Sequence, residues 1–94
     1  MEDKILTLHP QGKSGVNISR AKYDAISRAI QDSLRANQTM AFKELTEEVR
    51  RRLEGSFEGS ISWYVTTVKL DLEARDVIER IPNSTPQRLR LVAG

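Results

Sequence analysis

Ile61, Val65, Val68 and Leu72 recur at intervals of four, three and four, which keeps them on one face of a helix. The stretch immediately after them constrains the fold most. In VIERI (77–81) and RLRLV (88–92) the apolar period drops from helical to two, and the link between them, PNSTPQ, carries prolines at 82 and 86. The sequence predicts an antiparallel hairpin directly after an apolar helix, with Asp76 ending the helix and Leu89 and Leu91 turned inward.

Two more helices precede this unit. Ser19 stands where an N-cap belongs, with Ile18 and Tyr23 at the spacing of a hydrophobic staple; Tyr23, Ile26, Ile30 and Leu34 then mark one face of a helix ending near Asn37. A second helix is expected from Lys43 to Glu54 on the stripe Phe42, Leu45, Val49 and Leu53, after one or two strand residues at Met40–Phe42. EGSFEGS then breaks the chain, and Ser60 caps the third helix. Before all three lie two short β-prone pieces, Ile5–Leu8 and Val16–Ile18, around a Pro/Gly loop. The expected class is α+β: three helices, a C-terminal hairpin, and an extended N-terminal arm over 1–18 ahead of a domain at 19–94.

Ninety-four residues, 38% hydrophobic and 30% charged, suit one small globular domain. No apolar run approaches the ~20 residues of a membrane span, and Met1-Glu2-Asp3 does not resemble a secretory signal. With no cysteine, disulfides, thiolate metal sites and cysteine nucleophiles are excluded. A cytoplasmic, bacterial-type protein is the expectation. The net charge of +2 is weakly basic, so the distribution matters more than the sum.

The order of elements has a counterpart in winged helix-turn-helix regulators, whose third helix and wing VTTVKLDLEARDVIERI followed by RLRL resembles. Leu72-Glu73, Val77-Ile78 and Arg80 fit that pattern, and Asp76 replaces the usual glycine. Over roughly 9–91 the chain resembles a small bacterial family of uncharacterised winged-helix proteins, a domain of unknown function, through His9-Pro10-Gln11-Gly12, Lys22-Tyr23-Asp24-Ala25 and Trp63-Tyr64 through VKLDLEARD. The resemblance implies a fold and no activity.

On that fold the third helix would face the major groove. The candidates for DNA contact are Ser62, Thr66, Thr67 and Lys69, with Ser60 at its start, and Arg80, Arg88 and Arg90 of the wing would meet phosphates of double-stranded DNA. No acidic residue occurs from Ser60 through Leu70, yet no Arg, Asn or Gln is there for bidentate base readout. Weakly specific DNA binding, as in a small transcriptional regulator, is the leading expectation. The rival is a protein-interaction or dimerisation module. It rests on Trp63 and Leu70, seven positions apart and nearly opposite the Val65–Val68–Leu72 stripe. The arm, a second copy in a homodimer, or another protein could cover them.

The remaining motifs read as structure. GKSG at 12–15 lacks the glycine of a phosphate loop, since Thr7 stands in its place. His9, the sole histidine, has no second histidine or cysteine with which to hold a metal. Glu47–Arg51 and Glu48–Arg52 are i,i+4 pairs in the order that favours a helix, a self-paired face rather than a catalytic pair of carboxylates. No enzyme, cofactor, metal site or small-molecule ligand is expected.

Overall fold

The apolar stripes converge on one core. In the computed structural model, which describes residues 3–93, Ile26, Ile30 and Leu34 pack with Leu45, Val49, Val65, Val68 and Leu72. Ile78 and Leu89 close that core from the sheet side. Met1, Glu2 and Gly94, the outer ends of the expected arm and domain, lie outside the described residues.

The elements run β1 (Lys4–Leu6), β2 (Asn17–Ser19), α1 (Arg20–Asn37), β3 (Thr39–Ala41), α2 (Phe42–Leu53), α3 (Ile61–Ala74), β4 (Ile78–Arg80) and β5 (Arg88–Leu91). This is a mixed α and β fold with three helices and two small antiparallel sheets, in line with the α+β expectation. Among the described residues no helix is long and apolar enough to cross a membrane.

Helix ends follow local chemistry. The Ser19 hydroxyl accepts the Lys22 amide at 3.3 Å at the start of α1, and Ile18 and Tyr23 are both buried, as a staple requires. At the start of α2 the Glu44 carboxylate accepts the Ala41 amide at 2.8 Å; Ala41 has no hydroxyl to reciprocate, so only half of a capping box forms. The Ser60 hydroxyl accepts the Trp63 amide at 3.2 Å to open α3.

The end of α3 is a Schellman turn. Asp76 takes φ +60, its amide donates to the Glu73 carbonyl at 3.1 Å, and the Val77 amide reaches back to the Leu72 carbonyl at 2.9 Å. Aspartate fills a position that glycine usually takes. Regular helix stops at Ala74, two residues short of the Asp76 boundary.

The C-terminal hairpin forms as expected, β4 on β5 with Glu79 opposite Arg90. The strand residues expected near Met40 are more than isolated ones. β3 pairs with β5 in the register Met40↔Leu89, so the sheet order is β3-β5-β4 and the last strand is the central one. The two arm pieces also pair, Ile5 opposite Ile18; the first ends at Leu6, two residues before the expected Leu8, and the second lies one residue later than Val16–Ile18. Ile18 enters the core and Ile5 packs against it.

Candidate interaction face

The arm is held against α3 by one carboxylate. Asp71 is fully buried, and its oxygens accept from the Leu8 amide at 2.8 Å, from the Tyr23 hydroxyl, and from the Arg75 guanidinium at 2.9 and 3.0 Å. One side chain thus ties together the arm, α1 and the last turn of α3. A buried carboxylate is tolerable because a cation and two further donors satisfy it. Burial, reinforced by the hydrogen bond to Asp71, pushes the Tyr23 phenol up to about 12.

The arm loop folds back by a close backbone approach. The Thr7 amide donates to the Val16 carbonyl at 2.9 Å, and the Val16 amide donates to the Thr7 hydroxyl at 3.0 Å. Gly15 lies so close to Thr7 that a Cβ would stand 1.7 Å from the Thr7 carbonyl oxygen, so only glycine fits. The loop therefore lies along α3, where Leu8 and Val16 border a cleft of about 110 Å³ shared with Thr67 and Leu70.

On the outward side of α3, Ser62, Trp63 and Thr66 are exposed, and Thr67 and Leu70 are half-buried. Trp63, Thr67 and Leu70 form one line at i, i+4 and i+7. The arm covers part of Leu70 and leaves the indole open. Trp63 is 46% exposed, and among the described residues the other exposed large apolar side chains are Leu6, Leu8 and Val16 of the arm, at 56, 43 and 39%. Trp63 stands edge-on to Tyr64 at 4.9 Å, Tyr64 edge-on to Phe57 at 5.1 Å, and the Lys22 ammonium sits 5.5 Å from the Tyr64 ring.

The polar candidates divide. Ser62 and Thr66 lie on the open face, where the Thr66 hydroxyl donates to the Ser62 carbonyl at 3.0 Å and the Ser62 hydroxyl accepts from Arg50 at 2.7 Å. Lys69 does not lie on that face, contrary to expectation. It is 7% exposed, its ammonium 3.2 Å from Glu73 and 5.2 Å from the Phe42 ring centre. Its position, one residue beyond Val68 and three before Leu72, turns it toward the α2 side of the helix.

The three arginines of the sheet all have partners within the chain. Arg80 pairs with Glu73 at 2.7 Å and Arg90 with Glu79 at 2.6 Å. Arg88 reaches the Thr39 hydroxyl and carbonyl at 3.2 Å, with Glu44 at 3.6 Å. These contacts run between strands and to the helix ends, and none joins an arginine of the sheet to Ser62, Trp63 or Thr66. On α2, Arg51 and Arg52 close on Glu48, and the Arg51 hydrogen bond holds the Glu48 carboxyl below its ordinary value. A larger open groove of about 860 Å³ beside α2 is lined by Leu53, Phe57 and Ile61 together with charged residues of α2, among them the paired Glu48 and Arg51.

Asp71, Leu8, Val16 and Arg50 do not stand out in the sequence. The i,i+4 spacing of Asp71 and Arg75 is a readable signal for a pair; nothing local points from Asp71 to Tyr23, 48 positions away. A family model described as a family of unknown function (DUF6958) matches residues 4–89. No curated protein and no solved structure matches the chain.

Proposed function

The chain belongs to this family of unknown function, and from that premise we propose that it is a winged helix-turn-helix module that docks a protein on the outward face of α3. The winged-helix reading is supported by the order helix, strand, helix, helix, strand, strand, with the last strand between the other two. The observation that carries the protein-docking reading is the exposure of Trp63 in line with Leu70, bordered by Leu8 and Val16, an apolar surface that a phosphate backbone would not cover. Lys69 is buried and the arginines of the sheet are engaged elsewhere.

DNA binding is the second reading, favoured by the exposed Ser62 and Thr66 beside Arg50. A salt titration of the purified protein against mixed duplex DNA separates the two. Under the docking reading, affinity for duplex is weak even at low salt, and Arg88→Ala with Arg90→Ala leaves it unchanged. Tight binding whose logarithm falls steeply with log salt, with a slope flattened in the double variant, would establish the DNA reading instead. A photo-crosslinking residue at position 66 supplies the positive arm: a discrete protein adduct that Leu70→Lys abolishes.

A further inference from the structure

We infer that the arm loop, residues 8–15, is a strap that opens from α3 independently of the rest of the fold and, while closed, shields Thr67 and Leu70. Its bearing on docking rests on the protein-docking reading of that face. The base of the loop is fixed. β1 and β2 pair as far as Leu6 opposite Asn17, and the two Thr7–Val16 hydrogen bonds clamp the chain immediately beyond them. The tip is a unit in itself: the His9 carbonyl accepts the Gly12 amide at 2.9 Å, and the His9 Nδ1 accepts the Gln11 amide at 3.1 Å. Among the described residues, the Leu8 amide on Asp71 at 2.8 Å is the one hydrogen bond from 8–15 to the rest of the chain.

Open space lies on both sides of that latch. A cleft of about 110 Å³ separates the loop from Thr67 and Leu70, before Asp71 in the helix. A second, of about 660 Å³, separates it from Glu73 and Ala74, after Asp71. A tightly packed loop would leave neither. Opening therefore costs little beyond the latch. When the Leu8 amide leaves, Asp71 keeps the Tyr23 hydroxyl and the Arg75 guanidinium, so its charge stays paired. One hydrogen bond to a charged group then sets the balance, which corresponds to an open population of roughly 1%. In the open state Thr67 and Leu70 join Trp63 as exposed neighbours along α3, and the closed strap competes with a partner for Leu70.

The test reads the free chain first. In native-state hydrogen exchange the Leu8 amide should be protected about 100-fold and be insensitive to low denaturant, whereas Ile30 and Val68 exchange only through global unfolding. Leu8 protection equal to that of Ile30, with the same denaturant dependence, would overturn the strap, and so would an unprotected Leu8 amide. A second readout is chemical. The chain has no cysteine, so Thr67→Cys places a single thiol in the smaller cleft. Leu8→Pro removes the latch donor and leaves Asp71 in place. Adding it to Thr67→Cys should speed maleimide labelling at least about tenfold, while Ser62→Cys, on the open face, should label equally with and without it. Equal rates at position 67 would overturn the strap; the exchange measurement needs no variant and decides alone if Leu8→Pro does not fold. Docking is read separately, by the crosslink from position 66, whose yield should rise in Leu8→Pro. An unchanged yield would overturn the shielding. No adduct with either chain would overturn the docking reading and the shielding of a partner with it, while the exchange result still decides the strap.

Discussion

The Leu8 amide donates to the Asp71 carboxylate at 2.8 Å across 63 positions of sequence, and that bond ties the arm loop to α3. The same carboxylate also holds Tyr23 and Arg75, so the face that includes Leu8, Thr67 and Leu70 depends on a buried charge.

Asp71→Ala leaves the Arg75 guanidinium and the Tyr23 hydroxyl without their acceptor and opens a void under the arm. Removal of one partner from a buried pair costs about 3 kcal/mol or more. The denaturant midpoint should drop accordingly, and amide exchange at Leu8 and Val16 should accelerate beyond the global change. An arm that keeps its protection would show that Asp71 does not anchor it.

Tyr23 makes stability depend on alkaline pH. Its phenol ionises near 10.0 when unfolded and at about 12 when folded, because burial and Asp71 both oppose a phenolate. The unfolded state therefore loses its proton first. Tyr23's contribution is fully present below pH 10 and is lost as pH rises toward about 12. In Tyr23→Phe this component is absent, so the stability gap between parent and variant should narrow across that window. A constant gap in denaturant melts over the same window would refute the linkage.

Gly15→Ala sets a methyl group against the Thr7 carbonyl, where the two sides of the arm loop cannot part without losing both Thr7–Val16 hydrogen bonds. A loss of about 2 kcal/mol is expected from strain of this kind, together with greater exposure of Leu70. Gly12→Ala is the control. A Cβ there meets no atom within 4 Å, and only its φ of +74 opposes the change, for a cost of about 1 kcal/mol. Circular dichroism melts of the pair would rank the two; an equal effect would mean that the close approach at Gly15 is not tight.

Ser19→Ala and Ser60→Ala each remove a cap and should each cost about 1 kcal/mol in urea titrations. The 3.3 Å bond at Ser19 is the longer of the two, against 3.2 Å at Ser60, but Ser19 is buried and Ser60 exposed. The Ser19 variant should therefore be the more damaging, since its orphaned amide is poorly reached by water. A parent-like midpoint for Ser19→Ala would place the start of α1 elsewhere.

The helices and the hairpin are legible in the sequence because their signals are local. Each stripe lies within four turns, and the Asp76 stop and the Ser19 and Ser60 caps act on immediate neighbours. β3 is only half legible, since three residues carry little pattern and their partner, β5, is 49 positions away. The face is legible in Trp63 and Leu70 and misleading at Lys69, because a lysine among threonines reads as solvated when its partners, Glu73 and the Phe42 ring, are not weighed. Leu8 and Val16 give no signal because nothing short of the folded arm brings them beside Thr67.

The placement of β5 between β3 and β4 also orders events in time. The Met40↔Leu89 pairing closes a long loop, and it has no reward until three helices have already drawn its ends together. The helical bundle would thus assemble early and the sheet zip up late. Destabilising changes such as Leu89→Ala should then register mostly as faster unfolding, and equally destabilising changes at Ile30 or Val68 as slower folding. How long the native state lasts, rather than how quickly it is reached, would be governed by the strand in the middle of the sheet.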